Sequence, residues 1–305
     1  MLVYRTLDVE ISTPCTVALG CFDGVHVGHR AVIEKAKRRA DELGCALLVL
    51  TFDEPPRNLF AKDKVPTICS NEEKLSMLER LGVDVAVCVP FTADILEISA
   101  ENFVRELLLR RMHAIHVVCG YDYTFGKGAM GNASLIEKIC TPLNVGADII
   151  PEQALDGVAI SSSLIRKAVS DGKMEYASAL LGRPFSLTLQ VTHGQHLARR
   201  LGFPTVNALP PCNRLLPKNG VYVTEIYVDR EKHYGITNVG LRPTVDTNIM
   251  CIETHIFDFN KDLYGKEITV GFLHFLREER KFDSVDKMAI QIKSDIETAK
   301  KIIAL

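Results

Sequence analysis

The strongest constraint on the fold is a rhythm in the first 180 residues or so, where short, wholly apolar runs alternate with amphipathic stretches. The runs "TVALGCF" (16–22), "CALLVLTF" (45–52), "DVAVCVPF" (84–91) and "AIHVVCG" (114–120) each read as a buried strand, and "ADIIP" (147–151) adds a fifth. Between the first two, Val32, Ala36, Ala40 and Leu43 fall at helical spacing, with Lys35, Lys37 and Arg38 on other faces. Further helical stretches occupy 71–81 and 100–111. A strand that is apolar throughout must be covered on both faces, so this alternation predicts a parallel sheet between two layers of helices. Sheets of that kind gather ligands where strands end and helices begin.

The pattern changes near "LLGRPFSLTLQVTH" (180–193). Beyond it, "VYVTEIYV" (221–228), "HYGITNVG" (233–240), "CIETHIFDF" (251–259) and "EITVGFLHFL" (267–276) are strand-like and joined by Gly, Pro, Asn and Asp turn signals. They predict an antiparallel barrel or sandwich. The chain ends in a helix, with Val285, Met288, Ile292, Ile296, Ala299 and Ile303 as its apolar stripe and Asp283 or Ser284 as its cap. Two unlike domains are expected, residues 1–183 and 184–305.

Composition narrows the class. The formal net charge of −2 gives no electrostatic footprint for nucleic acid. No apolar run approaches the roughly 20 residues that span a bilayer. The opening "MLVYRTLDVEIS" lacks the basic region and long apolar core of a signal peptide, so no export is expected. Nine cysteines without a CxxC pair point to reduced thiols in the cytoplasm, with Cys45, Cys88 and Cys119 as small core residues.

Chemistry concentrates first in "GCFDGVHVGHR" (20–30), between a buried strand and an amphipathic helix. Gly20, Gly24 and Gly28 let the backbone turn sharply and lie close to a ligand. The helix N-terminus behind them offers unpaired N–H groups that suit phosphate, and His26 and His29 can donate to phosphate oxygens. The same residues also fit a metal site or a plain helix cap. A second anion-binding candidate is "ISSSLIRKAVSDGKM" (160–174), where serines and Arg166 stand at a helix start. Its plain alternative is a serine-capped helix with a solvated basic face.

In the second half, "RRLGFPTVN" (199–207) places Thr205 and Asn207 on one side of an extended segment, two oxygen donors suited to magnesium beside substrate phosphates. The alternative is a turn into a strand. Gly194, Gly202 and Gly220 can admit a nucleotide close to the backbone. Arg277 and Arg280 fit flavin or phosphate contacts, or an exposed charged turn.

In their order, "GCFDGVHVGH", "TFD", "GYDYTFGKGAMG" and "ISSSLIR" resemble the adenylyltransferase module of bacterial bifunctional riboflavin kinase/FAD synthetases, within the HxGH nucleotidyltransferase superfamily. "RRLGFPTVN", "LPKNGVYV", "NVGLRPTV", "ETHIFDFNKDLYG" and "FLREERKFDSVDKM" resemble the riboflavin kinase domain of the same family. The resemblance covers about residues 15 to 295. It implies a Rossmann-like nucleotidyltransferase domain with a parallel sheet, followed by a six-stranded antiparallel barrel with a C-terminal helix. It implies that riboflavin is phosphorylated to FMN and FMN adenylylated to FAD, with ATP as co-substrate and Mg2+ at both sites. His26, His29 and Arg166 would act in adenylyl transfer, with Gly20, Phe22, Asp23, Gly24, Gly28, Ser162 and Ser163 around ATP phosphates. Asp122 and Phe125 would hold the flavin nucleotide, as would Arg277 in the kinase. Gly202, Thr205 and Asn207 would bind Mg-ATP, and Glu253 would take the proton from the ribityl hydroxyl. A monomer or weak homo-oligomer, with no nucleic acid or membrane partner, completes the expectation.

There are departures. Family members often read "TFDPHP" where this chain has "TFDEPPRNLF" (51–60), so a histidine is missing and Glu54–Pro55 brings an acid near an anion site. Tyr123 stands where phenylalanine is usual, and Ala198 where a glycine is. They set two alternatives beside the main reading: an enzyme that keeps one activity, the adenylyl step being lost, and a flavin-nucleotide sensor without turnover.

Overall fold

Each apolar run of the N-terminal half becomes a strand with parallel neighbours, because only parallel pairing joined by helices leaves both faces covered. The computed structural model describes residues 1–59, 61–192, 203–243 and 248–304. They divide into two units, Met1–Ser162 and Ser163–Leu305.

The first unit holds β1 (Leu2–Tyr4), β2 (Cys15–Leu19), α1 (Val27–Leu43), β3 (Ala46–Phe52), α2 (Asn71–Arg80), β4 (Val85–Val89), β5 (Ala114–Gly120), α3 (Ala133–Cys140) and β6 (Gly146–Ile150). The six strands form one parallel sheet in the order β1-β4-β3-β2-β5-β6. From β2 the chain winds outward through β3 and β4, then returns to β5 on the other side. The switch point therefore lies between β2 and β5, where such sheets open a crevice at their carboxyl ends.

Alternate strand residues face opposite layers. Val17, Leu19, Leu48, Leu50 and Val117 pack with Val104, Leu108 and Ile136. Ala18, Leu47, Val49 and Val118 pack with Val32, Ile33, Ala36 and Leu78. Leu43 departs from its expected place on the buried face: it is exposed, in the last turn of α1, which Gly44 closes in the left-handed conformation at φ 63°. The helical stretch 100–111 coils partly as a π-helix, Phe103–Arg111. The edge strand β1 was not anticipated, since three residues are too short to show a period. It is held by pairing with Val85, Ala86 and Val87.

The second unit begins with α4 (Ser162–Ser170, whose first residue closes the first unit) and α5 (Met174–Leu181). Then come β7 (Phe185–Thr192), β8 (Val206–Ala208), β9 (Gly220–Val228), β10 (Glu231–Pro243), β11 (Asn248–Ile256), β12 (Glu267–Arg277) and α6 (Val285–Ile303). The strands close into an antiparallel barrel in the order β7-β8-β11-β10-β9-β12. Its interior holds Tyr222, Phe185 and Phe272, with a hydroxyl chain from Thr224 through Thr237 to Thr254 at 2.9 and 3.0 Å. Ile292, Ile296, Ala299 and Ile303 of α6 cover Val221, Val223 and Ile236 on the outer face. Ser284 is the cap of α6, its hydroxyl accepting from the Lys287 amide, while Asp283 pairs with the Lys287 ammonium. Among the described residues no helix is long and apolar enough to cross a membrane.

Candidate active sites

The loop between β2 and α1 takes a shape that few sequences tolerate. Phe22 and Val25 have φ of 51° and 39°, and Gly24 has φ 83°. Positive φ is costly for a β-branched valine, and strain of this kind collects at functional loops. Ile68 lies 2.8 Å from where a Gly24 Cβ would sit, so this position needs glycine for both reasons. The Asp23 carboxylate accepts from the amides of Ile68 and Cys69 at 2.9 and 3.3 Å. Asp23 and Gly24 therefore shape the loop; they do not line the cavity it borders.

The histidines sit at the start of α1. Buried His26 caps the helix, its Nδ1 accepting from the His29 amide at 3.3 Å. That bond puts the proton of a neutral ring on Nε2. The two rings stack, centroids 3.6 Å apart and 17° from parallel. A metal ion binds an imidazole nitrogen in the plane of its ring, and two nearly parallel planes at that spacing share no point about 2 Å from a nitrogen of each. Among the described residues no group of three or more His, Cys, Asp or Glu could hold a metal ion. Burial, then His26, then Lys74 hold His29 well below the usual histidine range. Its ring is neutral at pH 7, and its buried Nδ1 has no hydrogen-bond partner. A neutral His29 beside helix-start amides suits a polyphosphate, whose charge makes that ring more basic as it develops.

These groups border a cavity of about 550 Å³ at the carboxyl ends of the strands, within the 300–1,000 Å³ typical of ligand sites. Gly20, Phe22, His26, Gly28, His29 and Ser162 line one part; Phe52, Phe91, Ile95, Phe103, Asp122 and Phe125 line another. A Cβ on Gly28 would sit 3.2 Å from the His26 ring, so glycine keeps that ring in place. The Ser162 hydroxyl donates to the Asp23 carbonyl at 3.3 Å. Ser163 follows it, exposed, and Arg166 lies buried on the same helix. Phe125 is buried between Phe103 and Tyr123, at centroid distances of 4.8 and 5.8 Å. The Tyr123 phenol is raised by burial and stays neutral.

Glu54 bears on the departure at 51–60. Its carboxylate pairs with Lys64 at 2.9 Å, and it does not line the cavity. The apolar wall formed by Phe52, Phe91, Ile95 and Phe103 escaped sequence reading, because apolar side chains at strand ends look like core. Arg57 also lines the cavity and carried no signal beyond its place after "TFDEPP".

The second site is a row across the barrel. Asn207 of β8 stands opposite Glu253 of β11, which stands opposite Asn238 of β10. Asn238 faces Val221 of β9, and Val221 faces Arg277 of β12. Paired residues share a face, so the row lies opposite the interior threonine chain. Glu253, Asn238, Val221 and Arg277, with Thr205, Phe203, His255, Arg280 and Phe282, border a cavity of about 240 Å³. Thr205 is half-buried just before β8; Asn207 is buried, its Oδ1 accepting from the Cys251 thiol at 3.8 Å. The oxygen donors of Thr205 and Asn207 fit a hard cation such as Mg2+. The Arg277 guanidinium is held by Asp295 of α6 at 2.7 to 3.1 Å. Asn238 and Asp295 were missed, since only barrel register and helix docking bring them here. Gly202, Gly194 and the Ala198 departure lie outside the described residues.

Fold and sites together define a nucleotidyltransferase-type sheet domain joined to a small closed barrel. The family model of FAD synthetase matches residues 8–164, and that of riboflavin kinase matches residues 181–303. The bifunctional riboflavin kinase/FMN adenylyltransferase of Escherichia coli strain K12 is 36% identical over 295 residues, covering 95% of this chain and 93% of that protein. The protein of the same name from Listeria monocytogenes is 35% identical over 291 residues, covering 94% and 92%. A crystal structure titled as a macrolide-efflux protein from Streptococcus pneumoniae is 30% identical, with a TM-score of 0.91 and coverage of 98% and 99%. The chain belongs to the bifunctional riboflavin kinase/FMN adenylyltransferase family.

Proposed function

We propose that the chain phosphorylates riboflavin to FMN in its barrel domain and adenylylates FMN to FAD in its N-terminal domain, with ATP as co-substrate of both reactions. The observation that carries this is the pairing of two sites in one chain. One places two histidines and helix-start amides at a cavity; the other places a strand carboxylate among oxygen donors. Residues 1–183 are assigned to adenylyl transfer and 184–305 to the kinase.

In the kinase, Glu253 accepts the proton of the ribityl 5′-hydroxyl as that oxygen attacks the γ-phosphorus of ATP and ADP leaves. Thr205 and Asn207, with Gly202 before them in sequence, would hold Mg-ATP; when bound, Mg2+ neutralises phosphate charge. Arg277 borders the flavin end and owes its position to Asp295. In adenylyl transfer, a phosphate oxygen of FMN attacks the α-phosphorus of ATP, and pyrophosphate leaves. An FMN phosphate is already anionic, so the step needs alignment and charge neutralisation more than a base. His26, His29 and Arg166 supply that, with Gly20, Phe22, Gly28, Ser162 and Ser163 around the phosphates and Asp23 and Gly24 shaping the loop. Asp122 and Phe125 receive the flavin nucleotide.

The cytoplasm is the proposed location, in keeping with nine free cysteines, and the working form is a monomer or weak homo-oligomer. Product analysis of the purified protein with riboflavin, ATP and magnesium tests the whole scheme. FMN and then FAD, with ADP and pyrophosphate, are expected. FMN accumulating without FAD removes the adenylyl half, and the absence of both ADP and pyrophosphate leaves a flavin-nucleotide sensor.

A further inference from the structure

Gly240 of β10 is a glycine that its own backbone does not require. Its φ lies outside the left-handed region, and glycine weakens the interior of a strand. What needs the missing side chain is Glu279, two residues past the end of β12: a Cβ built on Gly240 would overlap its carboxylate. The same carboxylate accepts from Nδ2 of Asn238 at 3.1 Å, and among the described residues that is the only side-chain hydrogen bond of Asn238. Asn238 and Gly240 are two apart on one strand and share a face, and Asn238 stands opposite Glu253. Asn238, Glu253 and Glu279 all border the cavity of the barrel domain. The turn that carries Glu279 is itself fastened, because Nη1 of Arg277 donates to the Glu278 carbonyl at 3.0 Å.

We propose that Glu279 is a positioning residue for riboflavin phosphorylation: it sets the Asn238 amide so that the carbonyl oxygen is offered to the cavity, where it accepts from the ribityl 4′-hydroxyl. The inference rests on the kinase reading of this site. A carboxylate has only acceptors, so the end of the amide that meets Glu279 is the NH2 group, and the carbonyl end is left for a ligand. A charged acceptor makes a stronger bond than a neutral one, which holds the amide in that orientation. The 5′-hydroxyl has one proton and gives it to Glu253 as its oxygen attacks. Asn238, beside Glu253, therefore meets the neighbouring hydroxyl, whose proton it accepts without competing for the nucleophile. Held there, the end of the ribityl chain cannot turn away from Glu253. The contribution is alignment and not proton transfer.

Phosphorylation of riboflavin and of 4′-deoxyriboflavin by the full chain tests this. Wild type is expected to prefer riboflavin roughly tenfold in kcat/KM, the scale of one hydrogen bond. Asn238→Ala and Glu279→Ala are each expected to lower kcat/KM for riboflavin roughly five- to tenfold and to leave that for 4′-deoxyriboflavin within about twofold of wild type. The double variant should be no worse than Asn238→Ala alone, since both changes break one device. Glu279→Gln keeps an acceptor oxygen and should stay within about threefold of wild type. A merely structural Glu279 would slow both substrates alike. Equal losses for the two substrates in the variants, additive losses in the double variant, or a wild type that uses both substrates equally well overturns the proposal. The last of these needs no variant to fold. Wild-type protein that forms no FMN from riboflavin and ATP overturns the kinase reading and the proposal with it, whereas the other three results leave that reading standing.

Discussion

Arg277 of β12 and Asp295 of α6 form a forked ion pair, Nε reaching both carboxylate oxygens at 3.1 and 3.0 Å and Nη2 reaching one at 2.7 Å. Gln291, one turn before Asp295, donates to the same carboxylate at 2.7 Å. The acid is 5% exposed and borders the kinase cavity, so the pair fixes both the arginine and the helix that covers the barrel. Leaving a buried partner unpaired costs about 3–5 kcal/mol. Asp295→Ala is therefore expected to destabilise the kinase half by about 3 kcal/mol in denaturant unfolding and to raise KM for riboflavin. Conversion of added FMN to FAD should be unchanged.

Glu253 stands between Asn207 and Asn238 in the barrel row, and His29 borders the other cavity. Loss of a general base costs about 10²–10⁴ in rate. Glu253→Ala is expected to suppress FMN formation by that factor while added FMN still becomes FAD, and His29→Ala to do the reverse. Chromatographic separation of FMN and FAD reads both outcomes, and loss of both activities in either variant counts against independent sites.

Glu54 is half-exposed and paired with Lys64 at the surface. Such pairs contribute about 0–1 kcal/mol. Glu54→Gln should alter neither stability nor KM for FMN by more than about twofold. A large gain in FMN affinity would show that the acid acts on the site after all.

Asp148 on β6 shows how charge sets acid stability. Burial alone would raise its carboxyl, but hydrogen bonds from Arg39 and His116 and the charge of Lys35 outweigh burial and bring it to about 2. Arg39 and Lys35 lie on α1, so the cluster fastens that helix to the edge of the sheet. A carboxyl lowered on folding stabilises the protein above its unfolded value near 4, and that contribution is lost as pH falls toward 2. Asp148→Asn should remove on the order of 2 kcal/mol at neutral pH. It should also flatten the decline in stability between pH 4 and 2, followed by urea unfolding across that range.

Much of this protein can be read without coordinates. The apolar runs specify a sheet covered on both faces, because strands without a polar side admit no other surroundings, and the change to turn-punctuated strands marks a second domain. The loop bearing His26 and His29 is legible as a candidate site for anions because glycines, a strand end and a helix start are local features. Glu253, Thr205 and Asn207 are legible only through likeness to a family, since a glutamate on a strand resembles any surface acid.

Tertiary structure decided what depends on contacts distant in sequence. That the two histidine rings stack, with a His26 nitrogen accepting from the helix-cap amide, could be known only from the fold. Glu54 lost its importance through Lys64, ten residues away, and Arg277 acquired its through Asp295, eighteen residues away. Local sequence sets backbone propensity and periodicity, which act over a few residues. Burial, charge pairing and barrel register are set by which segments the folded chain brings together.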